Sequence, residues 1–139
     1  MAFQNPPAAE IKKLLEMVHR IAVVGLSPNP ARPSHGVARA LQGFGYQIIP
    51  VRPGVDEVLG EKAYPDLRHL PAVVDLVDVF RAAEYVDGIV GDCIAIQAPA
   101  MWLQEGVVNP AAAERARQTG MFVVMDRCIY KAYKELFGK

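Results

Sequence analysis

Cysteine, charge of one sign and long apolar runs are all scarce in this chain. Its two cysteines, Cys93 and Cys128, lack the spacing of a metal site or a redox pair. Fifteen Lys and Arg residues balance fifteen Asp and Glu residues without long runs, which argues against a general nucleic-acid or anionic-membrane binder. No apolar run approaches the roughly 18 residues that span a bilayer, and the N-terminus has no secretory pattern. We therefore expect a cytoplasmic protein with free thiols that binds neither nucleic acid nor membrane.

Apolar runs typical of buried strands alternate along the chain with segments of helical spacing. The predicted strands are IAVVG, YQIIPV, VVDLVDVF, AMWLQ and MFVVM. This alternation predicts an α/β fold in which a parallel five-stranded sheet carries helices on both faces. The length of 139 residues and the hydrophobic fraction of 52% predict a single domain over residues 1–139, with residues 1–7 a loose N-terminal lead-in.

Ligands of parallel sheets bind where the strands end, close to the switch in strand order. The predicted strand ends are residues 25–27, 51–53, 80–81, 104–106 and 126–128. Gln104 and Gly106 follow the strand that holds Trp102, which is expected to be buried, so both can approach a bound ligand. The candidate site is therefore the carboxyl edge of the sheet.

The first strand end, VVGLSPNPARPSHG, lacks the glycines of a dinucleotide loop. A G-x-G-x-x-G motif starting at Gly25 would need glycine at positions 27 and 30, where the chain has Ser27 and Pro30. The only serines of the chain, Ser27 and Ser34, suit a phosphate group together with Arg32 and the amides of a helix N-terminus. Alternatively, Ser34 only caps the helix and the prolines shape a connection. The position after the first strand favours phosphate.

Arg52 ends the second strand, where an NAD site usually carries Asp or Glu for the ribose hydroxyls. A cation there suits a phosphorylated ribose, as in NADP or coenzyme A. The alternative is a solvent-exposed arginine in a turn. Either interpretation counts against NAD.

No catalytic arrangement is evident in the sequence. His19, His35 and His69 are scattered, no Gly-x-Ser-x-Gly elbow is present, and no His, Asp or Glu cluster has metal-site spacing. Asp75 and Asp78 have an odd spacing in or beside the third strand, so they face opposite ways and structural roles are favoured. We expect neither an enzyme nor a metal site.

Six segments occur in order and at family-like spacing: GLSPNPARPSHGVARAL, GYQIIPVRPG, VLGEKAYPDL, VDLVDVFR, WLQEGVVN and VVMDRCI. From Ile21 to Ile129 the chain thereby resembles the small stand-alone CoA-binding domain proteins, the YccU-like group. These are similar to the CoA-binding domain of the succinyl-CoA synthetase α subunit. The resemblance implies a Rossmann-like fold that binds coenzyme A or acyl-CoA at the strand ends. It implies binding rather than ligase activity, because the synthetase's phosphohistidine and catalytic domains have no counterpart in this length.

The resemblance also implies ligand contacts by position, with two departures from the family. The family often has Ala where Leu26 stands and Asn where Arg52 stands, so Leu26 could crowd the site and Arg52 changes the charge near the adenosine. The loop residues 25–34 match the phosphate contacts, and residues 51–53 match the segment beside the adenosine. The predicted cofactor-binding residues, including those after the fourth strand, are Gly25, Leu26, Ser27, Pro28, Arg32, Ser34, Val51, Arg52, Pro53, Phe80, Arg81, Gln104 and Gly106.

Two other functions stay open at this point. One is the NADP-binding domain of a small reductase, although a reductase needs a substrate pocket and proton donor for which this length leaves no room. The other is a module that senses CoA and docks on a protein partner that the sequence does not identify. Cys128 is open in the same way: beside Arg127 at the start of the last helix it is either a reactive thiol or a small packing residue.

Overall fold

The computed structural model describes residues 3–138. The five helices are α1 (Ala8–Met17), α2 (Pro33–Gly43), α3 (Val86–Ala95), α4 (Pro110–Gln118) and α5 (Ile129–Phe137). The seven strands are β1 (Arg20–Val24), β2 (Gln47–Val51), β3 (Glu57–Val58), β4 (Glu61–Lys62), β5 (Leu76–Val79), β6 (Ala100–Leu103) and β7 (Phe122–Val124). Short 3₁₀ turns occupy Leu67–His69 and Ala83–Tyr85. None of the helices within this range is long and apolar enough to cross a bilayer.

Five strands form one sheet in the order β2-β1-β5-β6-β7, and every neighbouring pair is parallel. The predicted five-stranded parallel sheet is therefore confirmed. The chain first adds β2 on one side of β1 and then crosses to β5 on the other side, so the strand order switches between β1 and β5. Ligand sites of such sheets lie at the carboxyl ends of the strands around this switch.

Helices cover both faces of the sheet, as predicted. Side chains of a strand alternate between the two faces, so Leu76 of β5 packs with the residues of α1, α2 and α5, whereas Val77 packs with those of α3 and α4. Because both faces are buried, the strands are apolar in nearly every position. Asp78 of β5 departs from this pattern at a position with no exposed surface.

Trp102 of β6 lies on the α5 face with no exposed surface. Its indole Nε1–H donates to the main-chain oxygen of Arg127, just before α5, at 2.8 Å. This hydrogen bond satisfies the one polar group of a side chain that is otherwise suited to the core. It also ties the start of α5 to β6.

The N-terminal lead-in is more ordered than the sequence suggested. Phe3 is buried, and Asn5 pairs in both directions with the main chain of Met125: its Nδ2 donates to the carbonyl at 2.9 Å, and its Oδ1 accepts the N–H at 2.7 Å. A side-chain amide thereby mimics strand pairing beyond β7, a contact that the expectation of a loose segment did not include. Positions 1 and 2 lie outside the described residues.

The segment between β2 and β5 contains an antiparallel ladder that the sequence did not predict. It joins β3 to β4 through the pairs Glu57–Lys62 and Val58–Glu61. Strands of two residues are too short to show a hydrophobic period. The ladder lies outside the five-stranded sheet and leaves its parallel order unchanged.

Candidate functional site

Three neighbouring cavities open along the carboxyl edge of the sheet. The arginine cavity, of about 490 Å³, is lined by Arg32, Arg52 and Arg81 together with residues of the loop after β1. The Cys128 cavity, of about 710 Å³, lies towards β6 and α5. The Tyr85 cavity, of about 370 Å³, lies towards α3.

The three cavities share wall residues and therefore adjoin one another. Arg81 lines all three. Pro53 is common to the arginine and Tyr85 cavities, and Pro33 and Phe80 are common to the arginine and Cys128 cavities. An extended ligand can thus occupy all three, with its middle in the arginine cavity. A further cleft around Arg20 at the opposite ends of the strands has a volume of only about 80 Å³.

Gly25 brings three strands together at the floor of the arginine cavity. Its N–H donates to Val51 at 2.9 Å, and the N–H of Phe80 donates to Val24 at 2.8 Å, so the ends of β1, β2 and β5 are joined. Gly25 has a φ of +84°, and a Cβ at this position would lie 2.6 Å from the Phe80 carbonyl oxygen. Both the left-handed conformation and the close approach require glycine.

The loop after β1 holds its own shape through a chain of side-chain hydrogen bonds. Ser34 Oγ accepts the N–H of Ser27 at 2.9 Å, Ser27 Oγ accepts the N–H of Asn29 at 3.1 Å, and Asn29 Oδ1 accepts the N–H of Ala31 at 3.0 Å. Each serine oxygen accepts a bond while its hydroxyl proton stays available as a donor. The loop is therefore arranged before any ligand arrives.

Ser34 does not cap α2, which corrects one alternative from the sequence. The helix begins at Pro33 with Arg32 as its N-cap residue, and Ser34 lies inside the first turn. Its hydroxyl fastens the loop instead of the helix end. Both Ser27 and Ser34 are buried and line the arginine cavity.

The three arginines that line the arginine cavity have no carboxylate partner within residues 3–138. Arg68, Arg115, Arg117 and Arg127, in contrast, each pair with an acidic side chain. The guanidinium of Arg81 stacks on the Tyr85 ring, 4.2 Å from its centroid. A concave surface with uncompensated guanidinium groups, each able to donate in a planar fork, is suited to phosphate groups.

The Cys128 cavity combines apolar walls with a few polar groups. Val37, Phe80 and Val107 line it. Gln104 is buried, and its Oε1 accepts the N–H of Ile129 at 3.2 Å. These surroundings suit a flexible ligand arm that is mostly apolar and carries amide groups.

Two acidic residues, one after β6 and one after β7, help to shape the rim of the Cys128 cavity. Gly106 donates its N–H to Asp126 at 2.7 Å, and Lys131 Nζ lies 3.0 Å from Glu105. The hydrogen bond to Glu105 raises the pKa of Lys131, so Lys131 keeps its positive charge at neutral pH.

The Tyr85 cavity is apolar with two carboxylates in its wall. Leu67 and Ile89 contribute apolar surface. Asp66 accepts a hydrogen bond from the His69 side chain at 2.8 Å, which lowers the pKa of Asp66. Asp92 lies 2.8 Å from Arg68 Nε. Carboxylate oxygens in this position can accept hydrogen bonds from hydroxyl or amino groups of a ligand.

The structure brings most of the predicted site residues together at the three cavities. Eight of them line the arginine cavity: Gly25, Ser27, Arg32, Ser34, Arg52, Pro53, Phe80 and Arg81. Gln104 and Gly106 line the Cys128 cavity, and Val51 lines the Tyr85 cavity. Leu26 and Pro28 are in the walls of none of the three.

The position of Leu26 differs from the sequence-based expectation that it could crowd the site. It has no exposed surface and packs in the core between the sheet and α1, α2 and α5. It therefore cannot crowd a ligand at the carboxyl edge.

Sequence reasoning missed several wall residues, among them Val37, Asp66, Asp92 and Lys131. Lys131 could have been found, because it lies three residues after Cys128 on a predicted helix and such residues share a face. The other three depend on how loops and helices pack, for which the sequence gives no periodic signal.

The acidic residues of the third predicted strand do not form an acid–base pair. Asp75 accepts the N–H groups of His19 and Arg20, both at 2.9 Å, which is a structural role. Asp78 is enclosed in the core. No group of three His, Cys, Asp or Glu side chains that could hold a metal ion occurs between residues 3 and 138.

Comparison with known proteins gives both a family and a fold. A family model described as the CoA binding domain matches residues 19–134. The chain is 45% identical over 130 residues to the uncharacterized protein YneT of Bacillus subtilis, covering 94% of this chain and 96% of that protein. The solved structure of a hypothetical protein from Pyrococcus horikoshii OT3 has a TM-score of 0.91 at 31% identity, covering 99% of this chain and 100% of that one.

A partial likeness extends to a much larger enzyme. The ADP-forming acetate–CoA ligase II of Archaeoglobus fulgidus is 31% identical over 75 residues, which make up 52% of this chain and 11% of the ligase. The similarity is therefore confined to a small part of that protein.

Proposed function

The chain belongs to the CoA-binding domain family, and on that premise we propose that it binds coenzyme A, or an acyl derivative, without catalysing a reaction on it. Membership of the family confirms the prediction from the sequence, while the finer YccU-like label stays a prediction. The observation that carries the proposal is the arginine cavity, whose three arginines have no carboxylate partner among the described residues.

The three adjoining cavities differ in the same way as the three parts of coenzyme A. The arginine cavity offers Arg32, two serine hydroxyls and Arg52 to the phosphate groups. The Tyr85 cavity, apolar with carboxylates in its wall, suits the adenosine. The Cys128 cavity, apolar with Gln104, suits the pantetheine arm. Arg81 lines all three cavities, so it can contact a phosphate group that lies where the cavities meet.

Arg52 is the proposed partner of the 3′-phosphate of the adenosine. The main-chain N–H of Arg52 donates to the carbonyl oxygen of Tyr64 at 2.8 Å, and an alanine variant retains this hydrogen bond. The side chain of Arg52 is half-buried and lines the arginine cavity. A charged hydrogen bond of this kind contributes about 1.5–3 kcal/mol, which corresponds to roughly tenfold to a hundredfold in affinity.

Calorimetric titration tests the proposal with four ligands. We expect coenzyme A to bind and NAD not to bind, and dephospho-CoA to bind about tenfold to a hundredfold more weakly than coenzyme A. Arg52→Ala should remove most of the difference between coenzyme A and dephospho-CoA. Arg117→Ala is the matched control, since Arg117 pairs with Glu114 on α4 and lines none of the three cavities.

NADP is the decisive competitor because it also carries a phosphate on its adenosine ribose. If NADP binds as tightly as coenzyme A, or coenzyme A does not bind, the proposal fails and the reductase-type cofactor domain replaces it. If Arg52→Ala and Arg117→Ala affect the coenzyme A to dephospho-CoA ratio equally, the role of Arg52 is wrong while CoA binding stands.

A further inference from the structure

The thiol of Cys128 is not used to cap the helix that it begins. Cys128 is the N-cap residue of α5, yet its side chain makes no capping hydrogen bond. An N-cap side chain ordinarily accepts an N–H of the first turn. Here Gln104, from the end of β6, accepts the first helical N–H, that of Ile129. The thiol is left free in the wall of the Cys128 cavity and is half-buried.

A second group in the same wall indicates a polar ligand. Gln104 is only 4% exposed, and its oxygen is bonded to Ile129. Its amide nitrogen, with two protons to donate, has no hydrogen bond to any residue from 3 to 138 and is not sealed in by protein atoms. A donor that opens onto the cavity from an otherwise buried side chain can pair with an acceptor on a ligand. The amide carbonyls of a pantetheine arm are acceptors of this kind.

The path from the phosphate groups to Cys128 is continuous. Pro33, Phe80 and Arg81 border both the arginine cavity and the Cys128 cavity. A ligand held by its phosphates can therefore extend its arm along these shared walls. The free end of the arm in coenzyme A is a thiol, the group that reacts with another sulfur.

The other cysteine provides an internal contrast. Cys93 lies in α3 with no exposed surface, packed on the opposite face of the sheet. Burial, together with the nearby Asp92, raises the pKa of its thiol to about 12. Cys93 is therefore closed to a dissolved disulfide, whereas Cys128 lies in an open cavity.

Resting on the CoA binding proposed above, we propose that Cys128 is a thiol–disulfide exchange site that captures coenzyme A from CoA disulfide. The Cys128 thiolate attacks one sulfur of the CoA disulfide. A Cys128–CoA sulfur–sulfur bond forms, the bond of the CoA disulfide breaks, and the departing CoA thiolate takes a proton from water. Two electrons pass from Cys128 into the disulfide that breaks, so no further oxidant is required.

Lys131 lies three residues after Cys128, one turn along α5, and lines the same cavity. Its ammonium group lies 3.0 Å from Glu105 at the rim of this cavity. A cation in this wall favours the approach of an anionic disulfide.

Intact-mass spectrometry after incubation with CoA disulfide tests the inference. We expect one CoA added to the wild type and to Cys93→Ala, none added to Cys128→Ser, and full removal by dithiothreitol. Peptide mapping of the wild-type adduct locates the modified cysteine even if a variant fails to fold. The parallel reaction with glutathione disulfide, which lacks the adenosine phosphates, should be at least about tenfold slower, because binding raises the effective concentration of the reacting sulfur.

The outcomes separate this inference from the proposed function. If coenzyme A binds in calorimetry but the mapped adduct is absent or lies on Cys93, exchange at Cys128 is wrong and CoA binding stands. Equal rates with CoA disulfide and glutathione disulfide also overturn directed exchange. If calorimetry shows no binding and no selective adduct forms, both proposals fail. A selective adduct on Cys128 that adenosine 3′,5′-bisphosphate slows supports both.

Discussion

Asp78 lies in the middle of the central strand of the sheet, opposite Val23 of β1 and Trp102 of β6. It has no exposed surface, and neither carboxyl oxygen has a hydrogen-bond partner in the described chain. Burial raises the pKa of Asp78 well above its ordinary value, because the core disfavours the charged form. The folded protein therefore retains a proton that the unfolded chain releases.

This difference fixes the sign of a pH effect on stability. The contribution of Asp78 is most favourable below the ordinary aspartate pKa of about 3.9. As the pH rises from there to the raised pKa of the folded state, the free energy of unfolding falls by up to about 1.4 kcal/mol per pH unit. Asp78→Asn keeps the shape and cannot ionise, so this slope should disappear. The variant should be close to the wild type near pH 4 and more stable than it at pH 7.

Urea unfolding of the two proteins at intervals between pH 4 and pH 7 measures the effect. The difference between their unfolding free energies cancels the other titrating groups. Asp56→Asn, at an exposed loop position, is the matched control and should run parallel to the wild type. Parallel curves for Asp78→Asn and the wild type, or a variant that is less stable at pH 7, would refute the reasoning.

Two further substitutions test the packing around the site. Gly25→Ala should lower the free energy of unfolding by about 1–3 kcal/mol for the left-handed backbone alone, and by more for the contact with the Phe80 carbonyl; a loss below 1 kcal/mol in urea unfolding would contradict the close approach. Tyr46→Phe should cost about 1 kcal/mol, because the hydroxyl donates to the main-chain oxygen of Leu15 and burial raises its pKa to about 12. An unchanged urea midpoint would show that this hydrogen bond adds no net stability.

The sheet and its carboxyl edge could be predicted because strands buried on both faces stand out as apolar runs. Once those runs are known to be parallel, their last residues must meet at one edge. Gly25, Arg52 and Gln104 therefore lie at the same edge of the sheet although they are far apart in the chain. The same rule placed Arg81, but gave no sign that its guanidinium stacks on Tyr85.

The burial and hydrogen-bond partners of individual side chains could not be predicted, because they depend on tertiary packing. Leu26 follows Gly25 directly in the strand-end loop, yet after the left-handed turn at Gly25 its side chain lies in the core. Ser34 is a residue type that often caps helices, yet its hydroxyl oxygen accepts the N–H of Ser27 across the loop. Nothing in the pattern of β5 distinguishes a solvated aspartate from Asp78, enclosed without a partner.

The position of Trp102 gives this protein an optical signal of its own. It is the only tryptophan in the chain, so emission excited at long wavelength comes from a single place. That place is bonded to the residue before Cys128 and lies two positions before Gln104 on β6. A ligand that enters the Cys128 cavity and shifts the start of α5 changes the surroundings of this one indole. Binding and thiol exchange can thus be followed in real time by fluorescence, without a label or an added chromophore.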